Sequence, residues 1–249
     1  MVARRVHTCR DLRDASSANV LFYPSPTVTP LTSLMGSITT IHQNLYEASL
    51  PPITVELVEL ASLTTKSVSD LTVTLGTKTR LGIAASFGKR RVLKTLAFST
   101  ETRVLLIVMD GNSRHAHRQK GILKDELLCN VLLEKHGFLM ELIAAALYLD
   151  LGLFIRSAFD IVPGDTRGSM AAYKRLLEQA PTKHSVNARA VRKTFAEKRF
   201  VQPKQHLFAL RAWACHIGVR GLPNQPGVID TSIKGTKAHF NFHSFLVVI

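Results

Sequence analysis

Val104-Leu-Leu-Ile-Val108 is an unbroken apolar run, three of its five residues β-branched. Such a run reads as a strand buried on both faces, and burying both faces requires a sheet covered on either side. The run stops at Met109-Asp110-Gly111-Asn112, and a basic segment from Arg114 to Lys120 leads into a helical pattern. A strand that hands over to a helix in this way is suited to hold a phosphate. The first helical amides point at the anion, Gly111 permits close approach, and Arg114 supplies charge. Asp110 repels a phosphate directly, so its part would be to hold Mg²⁺ that bridges to the anion. The same Asp-Gly-Asn is also an ordinary turn that needs no ligand.

A chain of 249 residues with 46% hydrophobic and 20% charged residues is globular and long enough for one sizeable core. Its formal net charge of +14 and pI near 10.1 point to anionic partners, among which nucleic acid, an acidic membrane surface and diphosphates all qualify. Cys9, Cys129 and Cys215 lie far apart, which argues against a zinc site or a disulfide framework. The longest apolar stretch, Phe138 to Ile155, is interrupted by Glu141 and Asp150 and reads as a core helix followed by a strand.

Residues 1–44 read as a leader. Arg4, Arg5, Arg10 and Arg13 come early, Ser and Thr are dense from Ser16 to Thr40, and no acid stands between Asp14 and Glu47. That composition is expected of a plastid or mitochondrial transit peptide, with a disordered tail, cytoplasmic or at the endoplasmic reticulum surface, as the alternative. Residues 45–249 read as a single α/β domain. Leu50 to Thr79 alternates apolar residues with Ser and Thr, as strands or further leader would. Ile122, Leu123, Leu127, Leu128, Val131 and Leu132 recur at helical spacing, and Phe138, Leu142, Ala145, Ala146 and Leu149 make a second stripe that Gly152 caps. A buried strand over Leu153 to Phe159 follows, so strand, helix and strand suggest a parallel sheet. Further helices are expected over Ser169 to Gln179 and Lys204 to Gly218. Between these two, Arg189, Arg192, Lys193, Lys198 and Arg199 interleave with Phe195 and Phe200, which fits an RNA-binding stretch or a solvated face with core anchors.

Met109-Asp110-Gly111-Asn112-Ser113-Arg114, followed by Ala116, resembles the first signature of the cis-prenyltransferases, with His115 where that family has tryptophan. Leu96-Ala97-Phe98-Ser99-Thr100-Glu101 resembles a second signature but precedes the first instead of following it. His136-Gly137, Leu149 to Gly152, Ala158-Phe159-Asp160 and Arg167 are similar to later segments in order and spacing. The resemblance spans about residues 104–179, and the family's last Arg-x-Ser/Gly-Gly-Glu signature is absent.

The resemblance implies a central parallel sheet with flanking helices and an enzyme that elongates an allylic diphosphate with isopentenyl diphosphate. It implies Asp110 as the catalytic Mg²⁺ ligand. Gly111, Asn112, Ser113 and Arg114 would cradle the diphosphate, with His136 and Arg167 as further phosphate contacts. It also implies a homodimer or a heterodimer with a related subunit, peripheral membrane association, and no nucleic acid. The missing last signature gives the alternative of a catalytically inactive partner subunit, and the charge gives a second alternative, a basic RNA-binding protein.

Overall fold

The computed structural model describes residues 36–73, 79–109, 116–161, 169–195 and 205–220. Of the leader expected over residues 1–44, residues 1–35 therefore lie outside the described residues. Ser37–Ile41 forms β1, which pairs antiparallel with β2 (Ile53–Glu59).

Seven strands form one sheet in the order β1-β2-β5-β4-β3-β6-β7, with β3 at Thr79–Phe87, β4 at Leu93–Ser99, β5 at Arg103–Val108, β6 at Leu133–Gly137 and β7 at Ala158–Asp160. β5 is the expected buried strand. Val104 and Leu106 join the core on one face and Leu105 and Ile107 the core on the other. The first core is covered by α4 (Met170–Glu178), α5 (Ala188–Phe195) and α6 (Gln205–Arg220). The second is covered by α1 (Thr65–Thr72), α2 (from His117) and α3 (from Met140). Both α2 and α3 finish in a π-helical turn, over Leu123–Leu128 and Leu147–Leu151. No helix among the described residues is long and apolar enough to cross a membrane.

The sheet is mixed, which corrects the expectation of a parallel one. β4 runs antiparallel to both β3 and β5, and β1 antiparallel to β2, while β2–β5, β3–β6 and β6–β7 are parallel. The cause is the length of the connections, since a few residues can only turn a chain back on itself. Gly88 to Val92 closes β3 onto β4 through Gly88 N–H to Val92 O (2.8 Å), with Arg90 and Arg91 at positive φ. Thr100 to Thr102 closes β4 onto β5 through Thr100 N–H to Arg103 O (2.9 Å). The Leu96 to Glu101 segment that resembled a loop signature is thus the end of β4 and the turn after it, with Ala97 and Phe98 fully buried. β5 and β6 are not neighbours; β4 and β3 lie between them. The parallel crossover unit is β6–α3–β7, one step later than the sequence suggested.

Candidate functional site

β3, β6 and β7 run in one direction, and β6 and β7 end together, with Gly137 opposite Asp160 and His136 opposite both Gly82 and Phe159. At this end the chain turns sharply from β6 into α3. Leu139 adopts the left-handed conformation (φ 58°) and its N–H donates to the Asp160 carboxylate (3.1 Å). A branched side chain held there costs on the order of 1 kcal/mol, and the carboxylate bond offsets it. Gly137 is needed beside it, because a Cβ would stand 2.6 Å from Ile83 O.

Phe138 turns towards α4–α6 and begins an aromatic cluster. Its ring meets Tyr173 edge-on (4.7 Å), and Tyr173 stacks flat on Phe195 (4.1 Å, 5° between planes). Phe195 closes α5, a helix of only eight residues that needs tertiary anchorage to exist. Its other end is fixed by Asn187, whose Oδ1 accepts from Ala190 N–H (3.0 Å) and whose own N–H donates to Leu45 O (2.8 Å). Ala190, Val191, Thr194 and Phe195 face the core, which leaves Arg189, Arg192 and Lys193 together on the exposed side at positions i, i+3 and i+4. Among the described residues no acid forms an ion pair with any of the three. Residues 162–204 hold ten Lys and Arg against three acids, half of the chain's net charge in 43 residues.

Beneath this face lie Tyr173, Cys215 and Arg211. Burial raises the Tyr173 hydroxyl well above its ordinary range and the Cys215 thiol to about 12, so both are neutral. The Arg211 guanidinium lies over the Phe208 ring at 5.4 Å, a cation–π contact of roughly 0.5–2 kcal/mol.

His136 lies in β6. It is buried, stacked on Phe159 (4.9 Å), with Nε2 3.3 Å from the Glu134 carboxylate that Arg80 also holds. Burial lowers it to about 4, so near neutral pH its contact with Glu134 is a hydrogen bond from a neutral ring and not an ion pair. Asp110, Gly111, Asn112, Ser113, Arg114 and Arg167 lie outside the described residues. Sequence reasoning noticed the Arg189 to Phe200 stretch but missed Tyr173, Phe208 and Arg211. Only their spacing along two helices marked them, and that is the spacing of ordinary core residues.

No family model matches the chain, and no curated protein matches it. The solved structures that it resembles are nucleases. NrnC of Brucella melitensis is 13% identical, with 57% of this chain and 70% of that one covered, at a TM-score of 0.37. RNase D of Trypanosoma brucei is 12% identical over 70% of this chain and 66% of that one, at 0.39. An EXD2 exonuclease domain described as soaked in Mn is 18% identical over 67% and 86%, at 0.34. Likenesses at these TM-scores do not carry the nucleases' activity over to this chain. No solved prenyl-transfer enzyme stands among these neighbours, and a sheet with β4 reversed at its centre is not the parallel sheet that the resemblance implied. The assignment as a cis-prenyltransferase, active or inactive, is corrected, and with it the prenyl diphosphate partners. Against the expectation of no nucleic acid, two of these neighbours are described as bound to pGG and as a GMP complex.

Proposed function

We propose that this chain is a nucleic-acid-binding α/β domain that holds the phosphate backbone of a single strand against α5. The observation that carries the proposal is the face of Arg189, Arg192 and Lys193, three exposed cations without an acidic partner among the described residues. A solvated helix face is commonly laced with both signs of charge, and this one bears a single sign. The helix is also fixed at both ends, so its charges are pre-organised for a polyanion. The pGG and GMP ligands of the neighbouring nucleases belong to the same chemical class, and the proposal does not depend on them.

Mg²⁺ is not required by this reading. Among the described residues no group of three or more His, Cys, Asp or Glu could hold a metal ion, and the buried Asp160 already accepts from Leu139 N–H. Asp110, the ligand expected for Mg²⁺, lies outside the described residues. Gly111 to Arg114, which follow β5 in sequence and include a cation, belong to the proposal as a second phosphate contact.

The test is fluorescence anisotropy with labelled single-stranded RNA and DNA between roughly 50 and 200 mM salt. Three phosphate contacts give a slope of log affinity against log salt of about −2. Reversing the face with R189E/R192E/K193E is expected to weaken binding at least about tenfold and to remove most of that slope. Wild-type binding that is absent, or that ignores both salt and charge reversal, overturns the proposal.

A further inference from the structure

Three arginines are half-buried among the described residues, and two of them have obvious reasons to be so. Arg80 donates to Val219 O (3.0 Å) and to the Glu134 carboxylate (3.3 Å). Arg103 donates to Asp70 O (2.9 Å) and lies 3.8 Å from the Asp70 carboxylate. Arg211 has neither kind of partner. Its Nε is buried with no acceptor, and no acid among the described residues pairs with it. Tyr173 and Cys215, which feel its charge, are neutral, Phe208 offers only a ring face, and the Asp160 carboxylate that Cys215 also feels already accepts from Leu139 N–H.

A guanidinium withdrawn from water with a donor unmet is costly, and a structure that keeps one commonly uses it on an anion. We propose that Arg211 is a phosphate contact, set at the foot of the basic α5 face, that receives one phosphate group of the bound strand. The geometry suits this chemistry. Phe208, one turn before Arg211 on α6, lies against the guanidinium, a planar group that can form paired N–H···O bonds with a tetrahedral oxyanion. The Tyr173 ring in the surroundings of Arg211 stacks on Phe195, which lies on the core-facing side of the helix that carries the basic residues. The inference rests on the nucleic-acid reading for the source of the phosphate and on the unmet Nε for the contact itself.

The test compares wild type, R211Q and R211K with R189E/R192E/K193E, all as the full chain. The expected result for R211Q is about a tenfold loss of affinity for single-stranded RNA and a salt slope shallower by about 0.7, the share of one phosphate. R211K, which keeps the charge without the planar fork, should recover part of the affinity. The free R211Q protein should melt no lower than wild type, since the substitution removes a half-buried charge that has no partner. Inorganic phosphate, compared with chloride at equal ionic strength, should raise the melting temperature of wild type but not of R211Q. If R211Q binds RNA like wild type while the α5 reversal does not, Arg211 is no strand contact and the nucleic-acid reading stands. In that case, phosphate stabilisation lost in R211Q would leave Arg211 a site for free phosphate, and its absence would end the inference. If R211Q melts well below wild type with RNA affinity unchanged, the residue is structural and the inference also fails. If neither variant differs from wild type in RNA binding, the nucleic-acid reading itself is wrong.

Discussion

Gly82 in the middle of β3 lies directly against the backbone of Ala212 on α6. A Cβ at Gly82 would collide with the Ala212 carbonyl oxygen and come 2.5 Å from the His216 amide nitrogen. Both obstacles are main chain, so neither can move aside without shifting the whole helix. Ordinarily alanine is better than glycine in a strand by roughly 0.5–1 kcal/mol. Here the collision decides the sign, and Gly82→Ala is expected to destabilise by about 3 kcal/mol or more, read by urea unfolding. Because α6 carries Phe208 and Arg211, the same variant should also lose RNA affinity.

Gly121 gives the opposite case. It sits inside α2, and nothing stands within 4 Å of where its Cβ would be. Gly121→Ala is therefore expected to stabilise the chain by roughly 0.5–1 kcal/mol through helix propensity alone. A loss of stability here would mean that α2 is not held as a helix around residue 121.

The contrast between these glycines shows what could and could not be read from the sequence. Local signals were legible. The Val104 to Val108 run is β5, Ser169 caps α4 by accepting from Ala172 N–H (3.2 Å), and Gly152 takes the left-handed C-cap conformation at φ 71°. Each depends on a few neighbouring residues. The strand order was not legible. Thr95 to Arg103 carried no mark of being a central antiparallel strand and its turn, since what places β4 between β3 and β5 is pairing with residues on both sides in sequence. The burial of His136 was not legible for a similar reason, as it comes from Phe159 and Glu134 and not from its own surroundings in the chain. The Arg189–Arg192–Lys193 face was visible as composition. Its meaning depended on Phe195 meeting Tyr173, which only the fold reveals.

That meeting makes a further prediction. Phe195 is nearly fully buried, and α5 is too short to persist without its anchor. Phe195→Ala is expected to cost about 3–4 kcal/mol in urea unfolding. At moderate ionic strength, where the fold survives, it should lower RNA affinity towards that of the α5 charge reversal, although no charge has changed. Phe195→Leu should restore much of both, since it refills the volume without the flat stack. Full RNA affinity in Phe195→Ala would separate the basic face from the aromatic cluster and remove the reason for treating them as one site.

The last prediction concerns acid. His136 and His216 are both buried, and burial lowers each to about 4 from an ordinary value of 6.5. The His216 Nδ1–H donates to Arg80 O (2.8 Å), a bond that by itself favours the charged ring, and burial outweighs it. In the unfolded chain each imidazole takes up a proton as pH falls through about 6.5, while the folded protein refuses it until about 4. The unfolded state therefore binds more protons in that window, and stability must fall as pH is lowered through it. Each histidine can contribute up to about 3 kcal/mol, and with both acting the slope approaches about 2.7 kcal/mol per pH unit. Lys135, lowered to about 8 by burial, is fully charged in both states throughout the window and adds no slope there. Asp70, held below its usual value mainly by its hydrogen bond from Lys66, titrates beneath it. Urea unfolding at several pH values from 7 down to 4.5 should show the decline, and His216→Asn, which can still donate to Arg80 O, should halve its slope. A stability flat across this range would mean that neither ring is buried as a neutral group, and the packing of α6 on β3 beside Gly82 would have to be wrong.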